Sequence, residues 1–186
     1  SYPTPYQSVG SRGVTNLASK LMLALFPPQA PFFRLDVDEL VYRQIEGDPQ
    51  QKATIEQGLQ KIEKGKFSPK NLGIDGKIFI DGGHNGSAGV SLSKWIKFQK
   101  KESKFYIIIG MMKNKNIEEF LKPLNSYINK LVAINIPLEK NSYEPYEILN
   151  KSKKLGINSK VSESLEKALK FVSKDNSSKP KTILIT

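Results

Sequence analysis

The 186-residue chain has no cysteine, one histidine, 38% hydrophobic residues and a formal net charge of +11. Without cysteine it cannot form disulfides, thiolate metal sites or cysteine nucleophiles, and one histidine is too few for a zinc site built on His and Cys. No apolar run approaches the roughly 20 residues of a membrane-spanning helix, so we expect a globular cytoplasmic protein without membrane contact.

The positive charge is concentrated in one part of the chain. Residues 1–65 hold seven basic and seven acidic residues, whereas residues 66–186 hold 22 basic and 11 acidic residues. Every basic residue from Lys52 onward is a lysine, and these lysines are spread along the sequence rather than clustered with aromatic residues. This pattern favours a solvated surface over specific nucleic-acid binding.

The first part, residues 1–64, is predicted to be mainly helical. An apolar segment is stopped by Pro27 and Pro28, a second helix ends at Gly47, and Asp48 caps a third. The third has one apolar face formed by Ile55, Leu59 and Ile62. The predicted helices span residues 14–26, residues from about 36 or 38 to 47, and residues 48 to about 64.

From residue 65 onward, short apolar runs alternate with amphipathic segments. This alternation is typical of βαβ units, so residues 65–186 are predicted to form a second, α/β domain with a mostly parallel Rossmann-like sheet flanked by helices. Strands are predicted at 77–81, 105–110, 131–136, about 158–161 and 182–186. Helices are predicted at about 87–100, 117–129, 145–155 and 162–173.

An apolar strand runs directly into Asp81, Gly82, Gly83, His84 and Asn85, and a helix follows. Ligands of open α/β sheets bind beyond the carboxyl ends of the strands, and glycines allow a ligand to approach the backbone closely. The carboxylate, imidazole and amide could therefore serve a nucleotide hydroxyl, an anionic group or a proton transfer. The alternative is structural: Asp81 and Asn85 satisfy loop N–H groups and His84 packs on the surface.

A second glycine turn, at Gly110, is followed by Lys113 and Lys115. Both strands are predicted to end at the same edge of the sheet, so these lysines would add positive charge beside Asp81. The alternative, that both are solvated loop lysines, stays open on spacing alone.

Together, the two segments resemble the C-terminal domain of folylpolyglutamate synthase/dihydrofolate synthase, in the Mur-ligase superfamily, over about residues 65–186. The family usually has Ala where this chain has Gly83. The resemblance implies ATP- and magnesium-dependent ligation of glutamate to folate or dihydropteroate. It implies that Asp81 contacts the nucleotide ribose within a cluster that includes Gly82, Gly83 and Asn85. His84 would face glutamate and the transferred phosphate, and Lys113 and Lys115 are further nucleotide-site candidates.

Parts of that family's machinery are missing from the sequence. No Gly-x-x-x-x-Gly-Lys-Ser/Thr phosphate loop occurs in the 186 residues, and no magnesium ligands can be assigned. Because phosphoryl transfer depends on such groups, we expect no turnover from this chain alone. The chain also opens without methionine and stops inside an apolar run, so it is interpreted as a fragment.

Residues 2–35 and 48–63 resemble the N-terminal region of portal, or head-to-tail connector, proteins of short-tailed bacteriophages. The run from Ser8 to Leu21 carries most of this resemblance. Together with the ligase resemblance, it implies that the chain is a chimera. The alternative to the ligase function is then that of a virion structural protein with portal-type self-association. A generic helical extension is the other interpretation of this segment.

Overall fold

A computed structural model of the protein describes residues 59–99 and 102–186. Its centre is a six-stranded sheet with the order β1-β2-β6-β3-β4-β5, in which β1 is antiparallel to β2 and all other neighbours are parallel. The fold class predicted from the sequence is therefore confirmed. The strands are β1 (Gln60–Lys61), β2 (Gly76–Ile80), β3 (Lys104–Ile109), β4 (Ile128–Ala133), β5 (Ser159–Val161) and β6 (Lys181–Ile185).

Helices cover both faces of the sheet. The helices α2, α3 and α4 pack on one face, and α5 packs on the other, which gives three layers. The helices are α1 (Pro69–Leu72), α2 (Gly86–Gln99), α3 (Ile117–Leu121), α4 (Pro145–Lys154) and α5 (Leu165–Ser173), and a short 3₁₀ helix spans Lys122–Leu124.

The two cores follow from the alternation of side chains along the strands. In β2, Phe79 faces the α2 side, whereas Ile78 and Ile80 face the α5 side. Trp95 of α2 is fully buried and meets Phe79 and Phe105 edge to face, with ring centroids 5.1 and 6.2 Å apart. These contacts fix α2, and therefore the loop before it, against the sheet.

The predicted helix over residues 117–129 is wrong in its second half. The α-helix ends at Leu121, and β4 already begins at Ile128. Pro123 explains the difference, because proline has no N–H for the helical hydrogen bond and its ring clashes with the preceding turn. The strand predicted at 131–136 accordingly begins three residues earlier and ends at Ala133.

The end of the third predicted N-terminal helix is also wrong, because Gln60–Lys61 is a strand paired with β2. Leu59 is 7% exposed in the core on the α2 side, and Ile62 is 4% exposed in the core on the α5 side. The α/β unit therefore extends back at least to Leu59. The first two predicted helices, and the third before residue 59, lie outside the described residues.

Candidate functional site

The carboxyl end of β6 joins the two loops that the sequence predicted to meet. The Asp81 N–H donates to Ile185 O at 3.0 Å, and the Gly110 N–H donates to Thr186 O at 3.0 Å. Since β6 lies between β2 and β3, the Asp81–Asn85 segment and the Gly110–Lys115 segment lie on either side of Thr186. We call these two segments together the carboxyl rim.

The first loop of the carboxyl rim is tied down by its own polar groups. The Thr186 hydroxyl, which is buried, donates to Gly83 O at 2.7 Å. Asn85 Oδ1 accepts the Ala88 N–H at 2.8 Å and so caps the start of α2. Asn85 thus does what the structural alternative predicted of it, whatever further role it has.

Asp81 and His84 differ in how they are presented. The Asp81 side chain is 1% exposed, so its carboxylate lies beneath the loop. His84 is half-buried, and its Nδ1 lies 2.8 Å from Gly82 O. Because a carbonyl oxygen only accepts, Nδ1 carries the proton in this contact, and Nε2 of a neutral ring is left as an acceptor.

The second loop is held from the segment that follows β4. The Lys113 N–H donates to Asn141 O at 2.8 Å, and the Tyr143 hydroxyl donates to Lys115 O at 3.1 Å. The Lys113 ammonium lies 3.8 Å from a Glu147 carboxylate oxygen in an exposed pair, whereas Lys115 has no acidic partner among the described residues. Lys115 is therefore the lysine with the freer charge at the carboxyl rim.

Sequence reasoning missed Thr186 and Tyr143 as supports of these loops. Thr186 was assigned only to a strand, and its position at the end of the central β6 was the available signal. Tyr143 lies 28 residues from Lys115 in the chain, and only the tertiary structure brings the two together. No sequence pattern indicated the contact.

A metal is not provided for by these residues. Within residues 59–99 and 102–186, no three His, Asp or Glu side chains come together as a possible metal site. The described part of the chain therefore shows no protein-only site for the magnesium ion that the family resemblance implies. Across the same residues, no helix has both the length and the apolar character needed to cross a membrane.

A charged cluster formed by Tyr106, Asn129, Lys130 and Asp175 lies at the amino ends of the strands, opposite to the carboxyl rim. We call this cluster the amino rim. The Tyr106 hydroxyl donates to Asp175 at 2.8 Å, Asn129 donates to the same carboxylate at 3.3 Å, and Lys130 forms an ion pair with it. Burial, followed by the hydrogen bond to Asp175, raises the pKa of Tyr106 well above its ordinary value. Burial alone would raise the pKa of Asp175, but Lys130 and Tyr106 outweigh it, so that pKa is lowered.

The fold and its glycine-rich carboxyl rim define the C-terminal α/β domain of a Mur-type ligase. Residues 66–186 match the family model described as the dihydrofolate synthetase C-terminal domain, so the chain belongs to this family. Among solved structures it is similar to Escherichia coli FolC in complex with ADP, with 25% identity and a TM-score of 0.51 over 60% of this chain and 26% of that one.

A second solved structure, Mycobacterium tuberculosis folylpolyglutamate synthase complexed with ADP and AMPPCP, shares the fold at 15% identity. Its TM-score is 0.52, and the match covers 59% of this chain and 26% of that one. The chain therefore spans about a quarter of the length of these enzymes.

Residues 1–65 match the family model described as the bacteriophage head to tail connecting protein. They are 49% identical over 63 residues to the portal proteins of Enterobacteria phage T3 and Escherichia phage T7, which is 34% of this chain and 12% of each phage protein. Both resemblances stated from the sequence are thus confirmed, and the chain combines a portal-like segment with a ligase C-terminal domain.

Proposed function

We propose that residues 66–186 are the nucleotide-facing part of an ATP-dependent amide ligase that adds glutamate to folate or dihydropteroate. In this proposal Asp81, Gly82, Gly83 and Asn85 shape the nucleotide site. His84 faces the glutamate and the transferred phosphate, and Lys113 and Lys115 face the nucleotide phosphates.

The observation that carries the proposal is the convergence of two loops on the end of β6. The Asp81–Asn85 segment contributes close-packed glycine backbone and a half-buried imidazole, and the second segment contributes a lysine without an acidic partner among the described residues. Glycine backbone and lysine are groups that suit a phosphate-bearing ligand, and the place is where open α/β sheets bind ligands.

Binding and turnover are separate parts of the proposal. The chain contains no phosphate loop, and its described residues bring no three His, Asp or Glu side chains together as a metal site. We therefore propose that this chain binds a nucleotide at the carboxyl rim but does not itself release phosphate from ATP in the presence of folate and glutamate. In a complete ligase, ATP would supply the phosphate that activates a carboxylate, whereas in this chain the residues of the carboxyl rim only bind and orient the nucleotide.

The test is calorimetric titration of the full chain with ADP. Parent protein should bind ADP, and Asp81→Asn should weaken binding about tenfold, as expected for loss of an interaction with a charged group. Asp75→Asn is the matched control, because Asp75 is exposed and lies at the other end of β2. The proposal fails if the parent shows no saturable ADP binding, or if both variants weaken it equally.

A second candidate function, a structural role in a phage particle, is favoured by the 49% identity of the leading 63 residues to portal proteins. It predicts self-association of the full chain into rings that negative-stain electron micrographs would reveal. A monomer by analytical ultracentrifugation, across the concentrations used for ADP binding, would remove this candidate.

The organisation of the chain is also a proposal. The two family matches meet at residues 65 and 66, close to the division at residues 64 and 65 expected from the sequence. The sheet, however, includes Gln60–Lys61, and Leu59 is buried in its core. We propose that the folded α/β domain starts no later than Leu59, so that the last residues matched to the portal family belong to it physically.

A further inference from the structure

We propose that Thr186 is a positioning residue of the carboxyl rim, because its hydroxyl fixes the loop that decides which ring nitrogen of His84 carries the proton. The hydrogen bonds behind this step are a matter of geometry. Their consequence for a ligand rests on the proposed nucleotide function.

Thr186 is itself held in place by its backbone. Its N–H donates to Ile108 O at 3.0 Å, and its carbonyl oxygen accepts the Gly110 N–H at 3.0 Å. Thr186 is buried directly after β6, and its hydroxyl donates to Gly83 O at 2.7 Å. A donor anchored at the end of a central strand therefore holds the neighbouring loop.

The hydrogen bond to Gly83 O acts on His84 through the backbone. A peptide unit is planar, so a bond that orients the Gly83 carbonyl also orients the unit from which His84 begins. The preceding carbonyl oxygen, that of Gly82, lies 2.8 Å from Nδ1 of His84. Thr186 and His84 thus hold two successive carbonyl groups of one loop. A rotation of the Gly83–His84 peptide would move the ring away from Gly82 O.

The two ends of this loop have separate supports. At one end the Asp81 N–H donates to Ile185 O, and at the other Asn85 accepts the N–H groups of Ala88 and Gly89 in α2. Glycine backbone can adopt many conformations, so the stretch between these ends depends on hydrogen bonds to select one of them. The Thr186 hydroxyl supplies such a bond in the middle of the stretch.

The tautomer of His84 is the property that this loop conformation sets. Because Gly82 O can only accept, Nδ1 carries the proton, and Nε2 of the neutral ring is an acceptor. An acceptor can bind an amine or a hydroxyl group, but it cannot donate to a phosphate oxygen. In the proposed site, where His84 faces glutamate and the transferred phosphate, this tautomer selects the amine of glutamate as the partner of the ring.

The first test needs no ligand, because His84 is the only histidine of the chain. Heteronuclear NMR of the isotope-labelled full chain, at a pH at which the ring is neutral, shows which ring nitrogen is protonated. The parent should carry the proton on Nδ1. Thr186→Val, which replaces the hydroxyl by a methyl group, should move much of the proton population to Nε2, because the contact that holds it on Nδ1 is lost. Thr186→Ser keeps the hydroxyl and should retain the parent pattern.

Thr182→Val is the matched control. Thr182 is a buried residue of the same strand, and its hydroxyl shares a 2.7 Å hydrogen bond with the Ser103 hydroxyl at the opposite edge of the sheet. Its loss should lower the urea midpoint as Thr186→Val does, without changing the His84 tautomer. The proposal is overturned if the parent proton lies on Nε2, if Thr186→Val keeps it on Nδ1, or if Thr182→Val moves it as far.

If Thr186→Val does not fold, Thr186→Ala takes its place. Alanine also removes the hydroxyl, but it sets no methyl group of the side chain against Gly83 O. The proton of His84 should again move toward Nε2. A proton that stays on Nδ1 in this variant would equally overturn the proposal.

The second test depends on the proposed function. In calorimetric titrations, Thr186→Val should bind ADP about fivefold more weakly than the parent, the factor expected for one neutral hydrogen bond that shapes the site. Thr186→Ser should restore most of the affinity, and Thr182→Val should bind as the parent does. Equal affinity of Thr186→Val and the parent would overturn the positioning role. If the parent binds no ADP, the proposed function fails, yet the NMR result still decides whether Thr186 sets the tautomer of His84.

Discussion

The two edges of the sheet are built in different ways. At the amino rim, a single carboxylate, that of Asp175, accepts hydrogen bonds from Tyr106 and Asn129 and forms an ion pair with Lys130. At the carboxyl rim, the loops are held mainly through backbone groups and two hydroxyls, those of Thr186 and Tyr143, and glycine brings chain segments close together. The first arrangement uses side-chain charge to hold strands, and the second leaves the Lys115 ammonium available to a ligand.

This contrast indicates that a strong electrostatic cluster need not mark a functional site. The large pKa displacement of Tyr106 arises from burial and Asp175, at the edge opposite to the loops expected to bind a ligand. Perturbed titrating groups occur in structural networks as well as in active sites. The difference between the carboxyl rim and the amino rim can be tested by substituting residues that support each rim separately.

The largest expected effect comes from the helix contact that supports the carboxyl rim. A Cβ atom at Gly89 in α2 would lie 2.2 Å from Phe120 O in α3. Gly89→Ala should therefore separate the two helices and lower the free energy of unfolding by roughly 3 kcal/mol, measured by urea denaturation. Ser87→Ala, an exposed change in the same helix, should leave the midpoint nearly unchanged, and equal midpoints for both variants would contradict the expected steric effect.

The next effect comes from the amino rim. Asp175→Ala would leave the fully buried Tyr106 and the largely buried Lys130 without their common partner, and should cost about 2 kcal/mol of unfolding free energy. Asp175→Asn keeps an acceptor for the Tyr106 hydroxyl and should cost less. Both variants should bind ADP as the parent does, so weakened ADP binding would show that the two edges are coupled.

A smaller effect is expected from Tyr106→Phe. The change removes only the hydroxyl that donates to Asp175 at 2.8 Å, while Asn129 and Lys130 still contact that carboxylate. Thermal denaturation should show a loss of about 1 kcal/mol. A loss as large as that of Asp175→Ala would mean that the hydroxyl, rather than the carboxylate, organises the amino rim.

The smallest expected effect is the dependence of stability on the protonation of Asp175. It is absent at neutral pH and grows as the pH falls. The folded pKa of Asp175 lies below the ordinary value of 3.8, so its contribution to stability is complete above that value and is lost as the pH falls through the folded pKa. Denaturation curves below pH 4 should therefore converge for the parent and Asp175→Asn. A difference that widened with acid would reverse the sign of this linkage.

Much of the carboxyl rim could be predicted because neighbouring residues carry it. An apolar run ending in Asp81, Gly82 and Gly83 identifies a strand and the loop after it, and the parallel strand pattern places Gly110 at the same edge. The burial of Asp81 could not be predicted, because the loop around it is fixed by Thr186, which lies 103 residues from Gly83 in the chain. The contacts of the amino rim could not be predicted from the sequence, because 69 residues separate Tyr106 from Asp175.

The alternation of apolar runs and amphipathic segments determined by itself that residues 65–186 form an α/β sheet, since local periodicity selects strands and helices. Only the tertiary structure decided that β6 lies between β2 and β3 and that Gln60–Lys61 joins the edge of the sheet. The strand order, and the pairing of Gln60–Lys61 with β2, depend on which apolar surfaces can be buried together. That choice is made between residues far apart in the chain, so no local pattern contains it.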